Sequence, residues 1–185
     1  LSQSVGAAWL MTTIAPSADR VALVQTAGAL PFFFFSLIAG AYADTHDRRF
    51  IMLASQFVML AAAITLASLA WFGQVTPELL LGLTFLIGCG TAAFAPAWQA
   101  SIGEQVPRDL IPSAIMANAV GFNMARSVGP AIGGVIVAAA GAVFAFIINA
   151  VSYLGTLAAL FCWRPVRAKN PLPPEPLGAA IAAGA

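Results

Sequence analysis

Charge is what this sequence has least of. Its 185 residues include 8 Lys or Arg and 7 Asp or Glu, 8% of the chain, for a net charge of +1. A soluble domain carries about 25% charged residues to hydrate its surface, so a soluble globular domain is excluded. A near-neutral balance with no basic patch also excludes a nucleic-acid-binding module. Histidine occurs once, as His46, and cysteine twice, as Cys89 and Cys162. His46 sits beside Asp44 and Asp47 in a polar stretch and reads as a loop residue, because three scattered donors in an exposed loop make a poor metal site. Cys89 falls near the middle of one predicted helix and Cys162 near the end of another. That difference in depth argues against a disulfide and for two packing thiols. There is no GxxxxGK[ST] phosphate loop, no nucleophile placed beside a general base, and no cofactor motif. An enzyme is not expected, and neither is a bound cofactor or metal.

What the chain does have is apolar length. Hydrophobic residues make up 61%, and mean hydropathy is +0.91. Uncharged runs cover 21–43, 50–77, 79–103 and 127–163. An apolar stretch of about 18 residues or more reads as a membrane span. Lipid leaves no water to satisfy a free backbone, so such spans are helices. The expected fold is an all-α polytopic membrane protein. Its helices lie at about 1–15, 21–43, 50–72, 79–100, 113–138 and 143–163, which together form a bundle over 1–163. The first run is already under way at Leu1 and lacks the preceding Lys or Arg of a signal peptide, so it reads as a truncated span. The proline-rich end, 164–185, reads as the start of a polar linker. The whole is expected to be part of a longer protein.

The few charges orient this bundle. Arg48, Arg49, Arg108, Arg164, Arg167 and Lys169 fall in loops on one side, and Arg20 alone falls on the other. The positive-inside rule places the first group in the cytoplasm. Each span reverses the side, and every basic loop lands on the same face. "GAYADTHDRR", 40–49, gathers Asp44, Asp47, Arg48 and Arg49 into one turn between the second and third spans. The longest loop between helices is expected over 103–112.

The fifth span, "SAIMANAVGFNMARSVGPAIGGVIVA", places Gly121, Ala125, Gly129 and Gly133 four apart and therefore on one face, which Gly134 widens. Small residues let helix backbones approach closely in lipid. Pro130 removes a backbone donor and is expected to bend the helix. Arg126 lies about midway across. A lone arginine there costs about 2.5–3.5 kcal/mol even on low scales, so it is expected to face protein or a polar path. Two roles stay open for it. One is an anion contact or carboxylate partner, and the other is a structural arginine bonded to carbonyls or to Asn118 or Asn123. Asn118, Asn123, Arg126 and Asn149 are the candidates for a solute path.

These motifs carry a resemblance. The chain is similar to the amino-terminal half of a major facilitator superfamily transporter, in the branch of enterobactin exporter-like bacterial efflux permeases. Gly40, Asp44, Arg48 and Arg49 match the signature between the second and third helices, with Thr45 and Asp47 departing from its commoner form. "ARSVGPAIGG", 125–134, resembles the fifth-helix antiporter motif through Gly129, Pro130, Gly133 and Gly134, with Ala125 where that motif has a glycine. The resemblance extends to about Arg167. It implies a first six-helix bundle, the first helix truncated, that pairs with a missing carboxy-terminal six-helix half in the bacterial inner membrane. It implies alternating access and export of a small amphipathic or siderophore-like solute coupled to protons. It also implies gating or conformational roles for Gly40, Asp44, Arg48, Arg49, Arg126, Gly129, Pro130, Gly133 and Gly134. Asp44 would reach the other half and stabilise an outward-open state. The alternative is a membrane module or transporter remnant that moves no solute.

Overall fold

The computed structural model describes the backbone of residues 2–45 and 47–163 and the side chains of 3–35 and 47–163. The surroundings of Gly40, the side chain of Asp44, His46 and the linker at 164–185 lie outside the described residues.

Among the described residues six α-helices run in chain order: α1 (Ser2–Ile14), α2 (Ala18–Thr45), α3 (Arg48–Trp71), α4 (Pro77–Gln105), α5 (Ile111–Ala140) and α6 (Ala142–Cys162). A short 3₁₀ turn, Arg108–Leu110, precedes α5. No strand occurs among the described residues. At about 1.5 Å per residue, even the 21-residue α6 is about 30 Å long, enough for a hydrocarbon core. Among the described residues four helical stretches are long and apolar enough to cross a membrane: Arg48–Trp71, Pro77–Gln105, Arg108–Ala140 and Ala142–Cys162. The chain is thus a multi-pass membrane protein.

Local chemistry sets the helix ends. Asp47 caps α3, its carboxylate accepting from the Arg49 amide at 3.0 Å. Thr76 caps α4 by accepting from the Leu79 amide at 3.3 Å, with Pro77 in the first turn, where its missing donor costs nothing. Gly141 takes φ +86°, a left-handed conformation that suits glycine, and separates α5 from α6 in one residue. The sequence places the end of the fourth span near residue 100, but α4 continues to Gln105 and takes in Glu104, which shortens the expected loop at 103–112. Gly103 and Gln105 are compatible with a helix and the stop comes only at Val106, which is extended just before Pro107.

Helix α2 packs on α4, α4 on α3, and α3 on α6, while α1 contacts α2, α5 and α6. Three apolar layers stack along the bundle. At one end Met11, Val24, Leu66, Leu80 and Phe146 meet. In the middle lie Met59, Ala63, Ile87, Ala150 and Leu157. At the other end, beside Arg48 and Arg49, lie Ile51, Met52, Ala97 and Leu160.

Close helix approaches also occur at glycines outside the α5 stripe. A Cβ added at Gly88 of α4 would lie 2.7 Å from the Gly28 carbonyl oxygen of α2 and 3.0 Å from Cγ of Pro31. One at Gly90 would collide with Met59 Cγ and lie 3.2 Å from the Ser55 carbonyl oxygen of α3. By contrast, one at Gly121 or Gly134 would meet nothing within 4 Å. Close glycine packing among the described residues therefore includes α4 at Gly88 and Gly90. Of the α5 stripe, Gly133 is buried and Gly129 half-buried. Only Gly133 and Val137 of α5 are buried, so most of the longest helix is uncovered.

Candidate functional site

Two regions gather the polar groups that an apolar bundle does not need for packing. The first is the end carrying the charged turn. Arg48 and Arg49 open α3, where the Asp47 cap aims both into the bundle's edge. The Arg48 guanidinium donates from one nitrogen at 2.9 Å to Oε1 of Glu104 and at 2.9 Å to the carbonyl of Ala100. Arg49 donates from Nε to the Leu160 carbonyl at 3.2 Å and from a terminal nitrogen to the Phe161 carbonyl at 3.0 Å. Both arginines are half-buried. The last carbonyls of a helix, here those of Leu160 and Phe161 in α6, have no partner within it and carry the negative end of its dipole. A planar, permanently charged donor is well matched to them. The two arginines thus tie the start of α3 to the ends of α4 and α6. Glu104 is the partner the sequence reading missed, because it assigned that residue to a loop. Its only visible signal was its spacing from Ala100, one helical turn away.

The second set of polar groups lies on α5 and α6. Arg126 is the 16th of the 30 residues of α5 and is exposed. The asparagines proposed to hold it are otherwise engaged. Asn118 accepts from the Trp98 indole at 3.0 Å, which joins α5 to α4. Asn123 is exposed and donates to the Ala119 carbonyl of its own helix at 2.8 Å. Arg126 makes no hydrogen bond or ion pair with any described residue. The structure therefore does not support a structural arginine bonded to Asn118 or Asn123.

Asn149 is 8% exposed, and its amide stands beside the Tyr153 side chain one turn along α6. It lines a groove of about 510 Å³ whose other wall is α5, at Met124, Ala125, Val128, Gly129 and Ile132. Ser152, one turn along α6, lines it too. A second groove of about 540 Å³ starts from Ser152 and runs toward Trp163, walled across from α6 by Trp98 and Gln105 of α4. Pro130 is exposed on α5, where the helix runs on without a break. Cys89 and Cys162 are free thiols, as expected from their depths. No cluster of His, Cys, Asp or Glu able to hold a metal occurs among the described residues. Neither region combines a nucleophile with a base. Both offer donors, hydroxyls and apolar walls, which suit holding a molecule or switching a helix contact.

Comparison with known proteins gives this arrangement a context. The sequence model of the family described as "Transmembrane secretion effector" matches residues 1–185. The Staphyloferrin A transporter of Staphylococcus aureus is 27% identical over 159 residues, 85% of this chain and 40% of its own length. The multidrug efflux pump Tap of Mycobacterium tuberculosis is 29% identical over 156 residues, 78% of this chain and 36% of the pump. An uncharacterized MFS-type transporter of Bacillus subtilis, YfiS, is 28% identical over 141 residues, 76% of this chain and 33% of that protein. The chain thus spans between a third and two fifths of the length of these relatives, mainly in their amino-terminal portion.

Proposed function

The chain belongs to the transmembrane secretion effector family of MFS-type transporters, and from that premise we propose that it is the amino-terminal half of a secondary exporter. The whole protein would move a small amphipathic or siderophore-like solute outward by alternating access, driven by proton entry across the bacterial inner membrane. The observation that carries this reading is the match of the family's sequence model to all of 1–185, an all-helical chain with four apolar stretches of spanning length among its described residues. The range of solute is suggested by the relatives, which include one siderophore transporter and one multidrug efflux pump by name. The proposed residue roles follow the two polar regions. Arg48 and Arg49 fasten the α2–α3 turn to α4 and α6, with Gly40 and Asp44 on the α2 side of that turn. Gly129, Pro130, Gly133 and Gly134 shape α5 for movement. Asn118, Asn123, Arg126 and Asn149 border the solute path.

The direct test is reconstitution of the protein that carries this chain into proteoliposomes. With a proton gradient imposed, movement of a siderophore or amphipathic dye is expected, and a protonophore should abolish it. Movement unchanged by the protonophore would remove proton coupling from the proposal. No movement of any solute in a broad panel would favour a module that does not transport.

Orientation is tested separately. In a background with Cys89 and Cys162 replaced, His46→Cys and Val75→Cys are exposed in turn to an impermeant thiol reagent on intact cells. Position 75 is expected to react and position 46 to stay protected, because basic loops are retained in the cytoplasm. The reverse pattern would invert the bundle.

A further inference from the structure

We infer that Trp98 of α4 and Asn118 of α5 form a latch that fixes the amino-terminal arm of α5, residues 111–128, against α4. Breaking this one bond lets the arm swing while the rest of the helix stays packed. The latch is independent of what the protein moves across the membrane. Helix α5 meets the bundle at two separate places. Toward its end Gly133 and Val137 are buried, and Gly129, Gly134 and Ile136 are half-buried. Toward its start Ile111, Ala114 and Asn118 are half-buried. Every residue from 119 to 128 is exposed. That run is more than the outward side of a helix. The step from Asn118 to Gly129 is about three turns, so the two share a face, and Phe122 and Ala125 lie on that face between them. Both are exposed, and the α5–α6 groove opens beside Ala125 and Gly129. Helix α5 therefore bridges a gap between a packed end and a lightly held one.

What holds the light end is a single polar contact. The Trp98 indole N–H donates to Oδ1 of Asn118 at 3.0 Å, and both residues are half-buried. Among the described residues no other α5 side chain bonds another helix, and Asn123 donates only to its own backbone. The indole is placed from the α4 side. Its ring stacks on Phe94, with centroids 6.1 Å and planes 12° apart, and it packs on the layer of Ile51, Met52, Ala97 and Leu160. An indole nitrogen only donates, so it selects the Asn118 carbonyl oxygen and sets how that amide points. The connector from α4 to α5, 106–110, contains no buried residue and can extend over about 17 Å. It ties the two helices together without fixing the distance between them. In lipid there is little hydrophobic drive to close an opened helix pair, so a directed bond decides whether the arm stays docked.

The test uses the whole protein that carries this chain, in nanodiscs, with its native cysteines replaced and spin labels on engineered pairs. Phe50→Cys with Met116→Cys reports the arm, and Trp71→Cys with Val135→Cys reports the packed end; all four positions are exposed. All labels lie in this chain, so movement of one half of a transporter against the other leaves both distances unchanged. Double electron–electron resonance is expected to give one short arm distance while the latch is intact. Trp98→Phe, which keeps the stacked ring and removes the N–H, should raise a longer-distance population about three- to tenfold, the range of one hydrogen bond. Asn118→Ala should do the same, and the two together no more than either alone, because both delete one bond. Asn118→Asp keeps an acceptor oxygen and should hold the arm as asparagine does. The packed-end distance should stay constant in all four. An arm distance unchanged by both Trp98→Phe and Asn118→Ala would overturn the inference and leave the arm held by its connector and apolar contacts. So would a packed-end distance that shifts with the arm, because the whole helix would then have come loose. Additive shifts in the double variant, or an Asn118→Asp arm as loose as that of Asn118→Ala, would also overturn it, since the bond would not be what holds the arm.

Discussion

Replacing Gly88 by alanine is expected to destabilise the bundle by about 1–3 kcal/mol, the cost of forcing a group into a filled contact. The new methyl would lie 2.7 Å from the Gly28 carbonyl oxygen and 3.0 Å from the Pro31 ring. Both obstacles are stiff. One is backbone, and the other is a proline ring in a buried position of α2. Helices α2 and α4 would have to move apart over the seam where they are closest. In lipid there is little hydrophobic drive to push them back, since packing itself is the main source of association. Gly90→Ala is expected to cost less, because its nearest obstacle is the flexible side chain of Met59, which can rotate away. Gly82→Ala on the same helix meets nothing within 4 Å and serves as the control. Thermal unfolding in detergent, read by tryptophan fluorescence, should rank the three as Gly88, Gly90, Gly82 from most to least damaging. Equal melting of Gly88→Ala and Gly82→Ala would show that α2 and α4 are not in close contact at Gly28.

The second large effect belongs to the arginine clamp. Arg48→Leu is expected to destabilise by about 1–2 kcal/mol, more than a surface ion pair, whose typical value is about 0–1 kcal/mol. Its guanidinium serves a carboxylate and the Ala100 carbonyl at once, both at 2.9 Å, and its side chain is 28% exposed against 29% for Glu104. Such charge-assisted contacts are stronger than neutral ones, and partial burial limits screening by salt. Removing the arginine leaves the half-buried Glu104 carboxylate without its counter-charge. Glu104→Gln should therefore cost less than Arg48→Leu, and the double variant should recover part of the sum. A coupling of about 1 kcal/mol in that cycle, little changed by added salt, is the expected reading. Additive effects would mean that the pair is decorative. By the same logic, Arg20 and Glu78 at the other end, 3.8 Å apart and 47% and 77% exposed, should show no measurable coupling.

Much of the helical layout is visible in the sequence because lipid imposes a single rule. A run such as 50–72, with no charge and no backbone partner from water, has one way to satisfy its amides, and α3 covers 48–71. The turns are visible for similar reasons: Asp47, Thr76-Pro77 and Gly141 each solve a terminal hydrogen-bond problem that any helix has. The site was less legible. Asn118 and Asn123 are polar residues on an apolar helix and so invite a common role. Yet one bonds Trp98 of α4 and the other its own backbone. Periodicity reports which residues share a face, not what stands opposite that face. Gly88 and Gly90 carried no motif in the sequence, and only the neighbouring helices show how closely they pack.

By itself, the sequence determined the solvent and the secondary structure, because each follows from composition over a local window. Scarcity of charge excludes water as the surrounding medium, and length divided by the membrane's thickness sets the helices. Tertiary structure alone decided the partners. It brought Arg48 to Glu104 across 56 positions of chain and Arg49 to the last carbonyls of α6 across 111 and 112. It brought Gly88 against the Gly28 backbone, and it left Arg126 exposed on α5. Those contacts depend on which helix faces come together in three dimensions, and a face is chosen by the summed packing of all six helices, which no local pattern records.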